Sequence, residues 1–264
     1  FTASQLQPVF GRLVAASVRA HHSRLGSPSL FTVAEWGAGR AELAPFFTEF
    51  RYIPIDAAVT EFPAPFTGVV FCNELFDALP VDVASLRGDE FLLMRVDHRA
   101  GSFVWQPAEP VDDAWRAYLE PLASNFEDRS QITIELPVRL QPTLARMAAS
   151  LHRGAIIAID YGYAQREIVR FSQGTLMSYR RHQALDDVLR DPGSQDITAH
   201  VPFTYLAECA AGLGFQCEPL EDMARYLLRT GESDQFASAL DAPDEASAAR
   251  LRLQLKTLLF GMGE

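Results

Sequence analysis

The segment Val69-Val70-Phe71-Cys72-Asn73-Glu74-Leu75-Phe76-Asp77 constrains the fold most, because an apolar run stops abruptly in an amide and two acids. A core strand has no use for such groups, since burying them unpaired costs free energy. Upstream, Thr32-Val33-Ala34-Glu35-Trp36-Gly37-Ala38-Gly39 follows the same plan of apolar run, acid and glycines. Continuous apolar runs mark buried parallel strands, and the carboxyl edge of an open parallel sheet is where α/β proteins bind ligands. The chain is expected to be an α/β protein that does chemistry on, or with, a nucleotide-like small molecule.

The other elements fit around those runs. Residues 5–24 read as an amphipathic helix with Leu6, Phe10, Leu13, Val14 and Val18 on one face. Ser29 to Ala34 is the first strand, Glu42 to Phe47 a short helix and Tyr52 to Asp56 a second strand. Pro54 has no N–H for a ladder, and only residues 57–68 separate this strand from Val69, so an edge position follows. Phe91–Val96 and Ser102–Trp105 flank His98-Arg99-Ala100-Gly101 as a β-hairpin. Helical periodicity covers Trp115 to Leu122 and Pro142 to Leu151, the latter closed by Gly154, and Gln131 to Leu136 is strand-like. Ala155 to Ile159 is a further apolar strand, ending in Asp160-Tyr161-Gly162. Phe203 to Gly212 is helical with Gly214 as its stop, and an acidic helix covers Asp241 to Leu259.

Composition removes several function classes. The net charge of −11 argues against a nucleic-acid partner, whose phosphates need a basic surface. Lys256, the one lysine, follows no glycine-rich loop, so a Walker-type phosphate site is excluded. The cysteines Cys72, Cys209 and Cys217 and the six histidines show no ligand spacing, which predicts no metal and a reducing, cytoplasmic compartment. No apolar run reaches the ~20 residues of a membrane span.

In Glu35-Trp36-Gly37-Ala38-Gly39 the glycines permit a tight turn and close approach to backbone N–H groups at a helix start. Glu42 stands where a dinucleotide fingerprint has its third glycine and would repel a pyrophosphate. This argues against the rival reading of a nicotinamide oxidoreductase. The form suits a ligand bearing a carboxylate and an ammonium, such as the methionine end of S-adenosylmethionine. Asp56, ending the second strand, is placed to accept ribose hydroxyls. Asn73 borders the same crevice, and Glu74 and Asp77, three apart, can hold and deprotonate an amine or guanidinium. The bland alternative makes Asn73 a helix cap with acids in its first turn. Asp196 and His200, four apart, suit a helical hydrogen-bonded pair, and Tyr161 either covers a ligand or packs.

Asn73-Glu74-Leu75-Phe76-Asp77-Ala78-Leu79-Pro80-Val81 resembles the signature of the MidA (DUF185-type) family of S-adenosylmethionine-dependent methyltransferases, which includes a mitochondrial complex I assembly factor. Phe1-Thr2-Ala3-Ser4-Gln5, Glu35-Trp36-Gly37-Ala38-Gly39-Arg40 and Ile159-Asp160-Tyr161-Gly162 are similar to further segments of that family, in the same order. So are Gly174 to His182, with Arg180 and Arg181, and Asp191 to Val201.

The resemblance implies a class I methyltransferase, with a Rossmann-like, largely parallel sheet, helices on both faces and a β-hairpin insertion. It implies one domain over residues 1–264, with the inserted segment at about 85–128. S-adenosyl-L-methionine is the implied cofactor, held by Glu35, Gly37, Gly39, Asp56 and Asn73, with Glu74, Asp77 and Asn73 as catalytic residues. A protein arginine, for instance on a respiratory-complex subunit, is the implied acceptor. Relative to the family, the connection after Asp56 is short, a segment ahead of Phe1 is absent, and the chain stops at Gly261-Met262-Gly263-Glu264 before a final strand. Missing pocket walls make a non-catalytic assembly or binding protein of the same fold the alternative.

Overall fold

The computed structural model describes residues 8–56, 63–180, 183–185 and 187–260. Along the chain run α1 (Val9–Arg24), β1 (Thr32–Trp36), β2 (Arg51–Ile55), β3 (Phe66–Asn73), β4 (Asp82–Arg87), β5 (Glu90–Arg99), β6 (Ser102–Pro110), α2 (Asp113–Ala123), β7 (Gln131–Leu136), α3 (Leu140–Ala149) and β8 (Leu151–Ile159). Then come β9 (Gly162–Tyr163), β10 (Met177–Arg180), β11 (Gln183–Leu185), β12 (Asp196–Thr198), β13 (Val201–Pro202), α4 (Phe203–Gly212), α5 (Met223–Glu232), α6 (Ala237–Leu240) and α7 (Glu245–Phe260). These divide into two compact units. The first takes the described residues up to Asn73, Arg146–Ile159 and those from Glu218 on; the second takes Glu74–Ala145 and Asp160–Cys217. Among the described residues, no helix is long and apolar enough to cross a membrane.

The first unit is built on a parallel sheet of order β2–β1–β3–β8. All five residues of β1 are buried, so both faces are covered, and a strand in that setting must be apolar throughout. β2 takes the edge that Pro54 requires. On α1, Val9, Phe10, Leu13, Val14 and Val18 form one buried stripe at helical spacing. That stripe shares a core with Val33, Val69 and Phe71 of the sheet and with Leu227, Leu251 and Leu258. Truncating a fully buried member such as Phe10 to Ala would cost about 3–5 kcal/mol. Of the expected helix, Leu6 and residues 5–7 lie outside the described residues, as do Phe1 to Gln5 and residues 57–62 and 261–264.

Three expectations for this unit need correction. The strand expected from Ser29 begins at Thr32 and runs on to Trp36, leaving Leu30 86% exposed. The helix expected over Glu42 to Phe47 is a 3-10 turn at Ala44–Phe46, carrying Pro45 and preceded by Ala41 at φ +53°. So short a run cannot offset the cost of nucleating an α-helix. Gly154 does not stop the preceding helix. α3 ends at Ala149, and Gly154 lies within β8, paired with Gly68 of β3.

The second unit contains an antiparallel sheet of order β6–β5–β4–β7. The expected hairpin is its β5–β6 pair, and β4 and β7 extend it by pairing Asp82 with Leu136 through Arg87 with Gln131. Ala84, Leu86, Phe91, Ile132, Ile134 and Leu136 pack with Leu119 and Leu122 of α2 into a second core. Asp112 caps α2, its Oδ1 accepting the Trp115 N–H at 2.8 Å. α4 ends before Gly214 at φ +90°, as expected. β10 lies between β11 and β12, and β9 runs parallel to β13. Asp196 is thus in a strand and His200 outside it, so they are not a helical pair. Pairing with β10 sets the conformation there instead.

Candidate active site

Strand register brings the first group of sequence-predicted residues together. Trp36 of β1 pairs with Ile55 on one side and Cys72 on the other. Gly37, Asp56 and Asn73 are each the next residue past that rung, so three segments distant in sequence meet at one carboxyl edge. Gly37, at φ +73°, donates its N–H to Ile55 O at 2.8 Å, and the Ala38 N–H reaches the same oxygen at 3.3 Å. These amides close the turn onto β2 beside Asp56. Gly39 is also left-handed, at φ +49°, and no described residue comes within 4 Å of where its Cβ would stand. A ligand therefore has room above Gly39, although a 3-10 turn rather than an α-helix follows.

Asp56 is exposed. Asn73 presents a buried Oδ1 that meets no donor among the described residues. A buried acceptor left without a donor is costly in a finished site and is satisfied when a ligand donates to it. Glu35, 6% exposed, accepts the Tyr52 hydroxyl at 2.5 Å on Oε2. Burial raises its pKa above the usual carboxylate range, the Tyr52 bond opposes this, and nearby Glu42 adds to it. The side chains at this edge are acceptors, which suits a ligand rich in hydroxyl and ammonium donors, as adenosyl and methionine moieties are. A recess of about 940 Å³ bordered by Thr32, Arg51 and Phe66 opens at the amino ends of the strands and carries none of these groups.

In the second unit, Glu74 begins a turn at φ +51°, a left-handed conformation that costs a non-glycine residue about 1–2 kcal/mol. Asp160 holds that turn. Its Oδ2 accepts the N–H groups of Leu75 at 3.1 Å, Phe76 at 2.8 Å and Asp77 at 3.3 Å, and its Oδ1 accepts the Tyr161 N–H at 2.8 Å. Asp77 is 7% exposed, and its carbonyl accepts the Ala199 N–H at 2.9 Å. Burial, and then the charge of Asp77, push Asp160 up to about 7, and burial raises Asp77 as well. Two buried carboxyls this close do not both ionise near neutrality. Tyr161 is 45% exposed, and its hydroxyl is pushed up to about 12 by burial and by the charges of Glu74 and Asp77. Sequence reasoning gave Asp160 no role, although its signal was present: Ala155 to Ile159 is a third apolar run that ends in an acid.

The two later sequence blocks also meet, as β10 against β12 and through Glu135. The Oε1 of Glu135 accepts the N–H groups of Thr175 at 2.8 Å and Leu176 at 3.2 Å, and its Oε2 accepts the Thr175 hydroxyl at 2.9 Å. The His200 N–H in turn donates to Thr175 Oγ1 at 3.0 Å. Arg180 is exposed and paired with Asp191 at 3.4 Å; Arg181 and His182 lie outside the described residues.

Known proteins share this fold. A Burkholderia thailandensis protein solved with S-adenosyl-homocysteine bound superposes with a TM-score of 0.86 at 27% identity, over 98% of this chain and 74% of that one. The bovine "Protein arginine methyltransferase NDUFAF7, mitochondrial" is 29% identical over 73% of this chain. Its Drosophila melanogaster homolog is 24% identical over 83% of this chain and 62% of its own length. The chain spans 42% of the length of the bovine relative. The profile of the family described as "Putative S-adenosyl-L-methionine-dependent methyltransferase" matches residues 49–219, well over half of the sequence, and the chain belongs to that family.

Proposed function

We propose that the chain binds S-adenosyl-L-methionine at the carboxyl edge of its parallel sheet and directs methyl transfer to an arginine nitrogen of an acceptor protein. The observation that carries this reading is the single rung that aligns Gly37, Asp56 and Asn73, with the Asn73 Oδ1 lacking a donor among the described residues. When bound, the cofactor supplies a methyl group activated by a sulfonium. Asp56 accepts ribose hydroxyls, Asn73 accepts an N–H or O–H donor, and Gly37 and Gly39 shape the turn they approach. Glu35 stands behind that turn, anchored through Tyr52.

Glu74 and Asp77 are read as the acceptor-side acids. A guanidinium held by a carboxylate presents one nitrogen in a fixed direction. Accepting a methyl group would require that nitrogen to lose a proton, which Glu74 would receive. The remaining contribution is positioning in a near-attack geometry. A net charge of −11 favours approach of a basic protein segment. The arginine acceptor follows the names of the mitochondrial relatives, and a respiratory-complex subunit as its bearer follows only the family resemblance of the sequence. The test is incubation with methyl-labelled cofactor and matched arginine, lysine and citrulline peptides. Label recovered in methylarginine is the expected result. Label in lysine would move the acceptor, and none of the peptides labelled by cofactor-binding protein would favour a binding protein of the same fold.

A further inference from the structure

The geometry points to Asp160 as the positioning residue for Glu74, clamping the turn at 75–77 through backbone N–H groups with Asp77 as its acid partner. This assignment rests on the methyltransferase reading above. Three successive amides converge on one carboxylate oxygen at 2.8–3.3 Å, so the turn has its donors aimed at Asp160. Carboxylates that accept several N–H bonds form the stronger class of protein hydrogen bond. The residue entering the clamp, Glu74, is in a left-handed conformation without being glycine. Such strain persists only where the surroundings over-determine it, and it gathers at functional sites. A turn free to relax would return Glu74 to ordinary backbone angles and swing its carboxylate away from its present direction.

Asp77 makes the clamp respond to protons. It contributes an N–H to Asp160 while its own carboxyl is buried in the same place, with Oδ1 met by no donor among the described residues. Beside the pair, the Tyr161 hydroxyl feels the charges of Glu74, Asp77, Tyr179 and Asp160. With one proton on the pair, the two acids tolerate each other. With none, their repulsion loosens the turn.

Amide hydrogen exchange on the full chain tests this, comparing wild type with Asp160→Asn and Asp77→Asn from about pH 5.5 to 8, with cofactor titrations in parallel. The Thr175 and Leu176 amides, held by Glu135, serve as the internal control. Asp160→Asn is expected to cut protection at residues 75–77 by about tenfold or more while leaving 175–176 and cofactor affinity unchanged within about threefold. Wild-type protection at 75–77 should fall as pH rises, and Asp77→Asn should reduce that fall by removing the second cause of the Asp160 shift. Unchanged protection at 75–77 in Asp160→Asn, or equal loss at 175–176, would overturn the clamp. A protected turn in a wild-type protein that binds no cofactor would leave the clamp standing and remove its role in positioning Glu74 for methyl transfer.

Discussion

The loop held by Glu135 and the turn held by Asp160 are solved by the same device, a buried carboxylate collecting backbone amides, yet they differ in two respects. The Glu135 loop includes Gly174 at φ +86°, and a Cβ there would stand 2.4 Å from Glu135 Oε1. The Asp160 turn places Glu74, not glycine, at φ +51°. Where only shape matters, a glycine removes the strain. Where the strained residue is the acid Glu74, the strain stays in place. The second difference is company. Burial alone raises the pKa of Glu135, against its own hydrogen bonds, whereas Asp160 also feels a second buried acid. One site is a fixture, and the other is poised.

The comparison breaks most directly at Glu135. Glu135→Ala strands three donors in a site 4% exposed and should cost about 3–5 kcal/mol in urea unfolding. Asp160→Asn keeps one acceptor oxygen and should cost less, about 2–3 kcal/mol. Gly174→Ala should cost about 2 kcal/mol, since it adds both strain and a clash with Glu135. Glu74→Gly relieves strain but frees the unfolded chain, so stability should change by less than about 1 kcal/mol while methyl transfer is lost.

The pH dependence sharpens the same contrast. A carboxyl raised above its ordinary value binds its proton more tightly when folded, so its stabilisation is full in acid and lost as pH rises. For Asp160 the loss runs from about its ordinary value of 3.8 up through about 7. Between about pH 5 and 8 the protein should lose on the order of 2 kcal/mol, read as a shift in urea midpoint. Asp77→Asn should reduce that loss by removing the second cause. A slope unchanged by Asp77→Asn would mean that the two acids do not interact.

The parallel sheet and its edge were legible because a buried parallel strand must be apolar throughout, so Glu35, Asn73 and Asp160 stand out where the runs stop. Pro54 marked the edge strand for an equally local reason. The antiparallel sheet was legible only as far as the β5–β6 hairpin, whose partners are neighbours in sequence. The β4–β7 pairing joins Asp82 to Leu136 across an intervening hairpin and helix, and no local pattern encodes that register. Asp160 went unassigned for a similar reason, since its partners are backbone amides 83–85 residues away and carry no side-chain signature. The turn after Gly39 was misjudged as a helix start because a helical apolar pattern over six residues is too short to nucleate.

The central claim is that the rung of Gly37, Asp56 and Asn73 holds the cofactor. Calorimetric titration with S-adenosyl-L-methionine tests it most directly, using wild type, Asp56→Ala and Asn73→Ala, with NADH as the control ligand. The account predicts a dissociation constant of micromolar order, about −8 kcal/mol, weakened about tenfold or more by either substitution, and no heat with NADH. Folded wild type that shows no binding at millimolar cofactor, or binding that both substitutions leave unchanged, would contradict it.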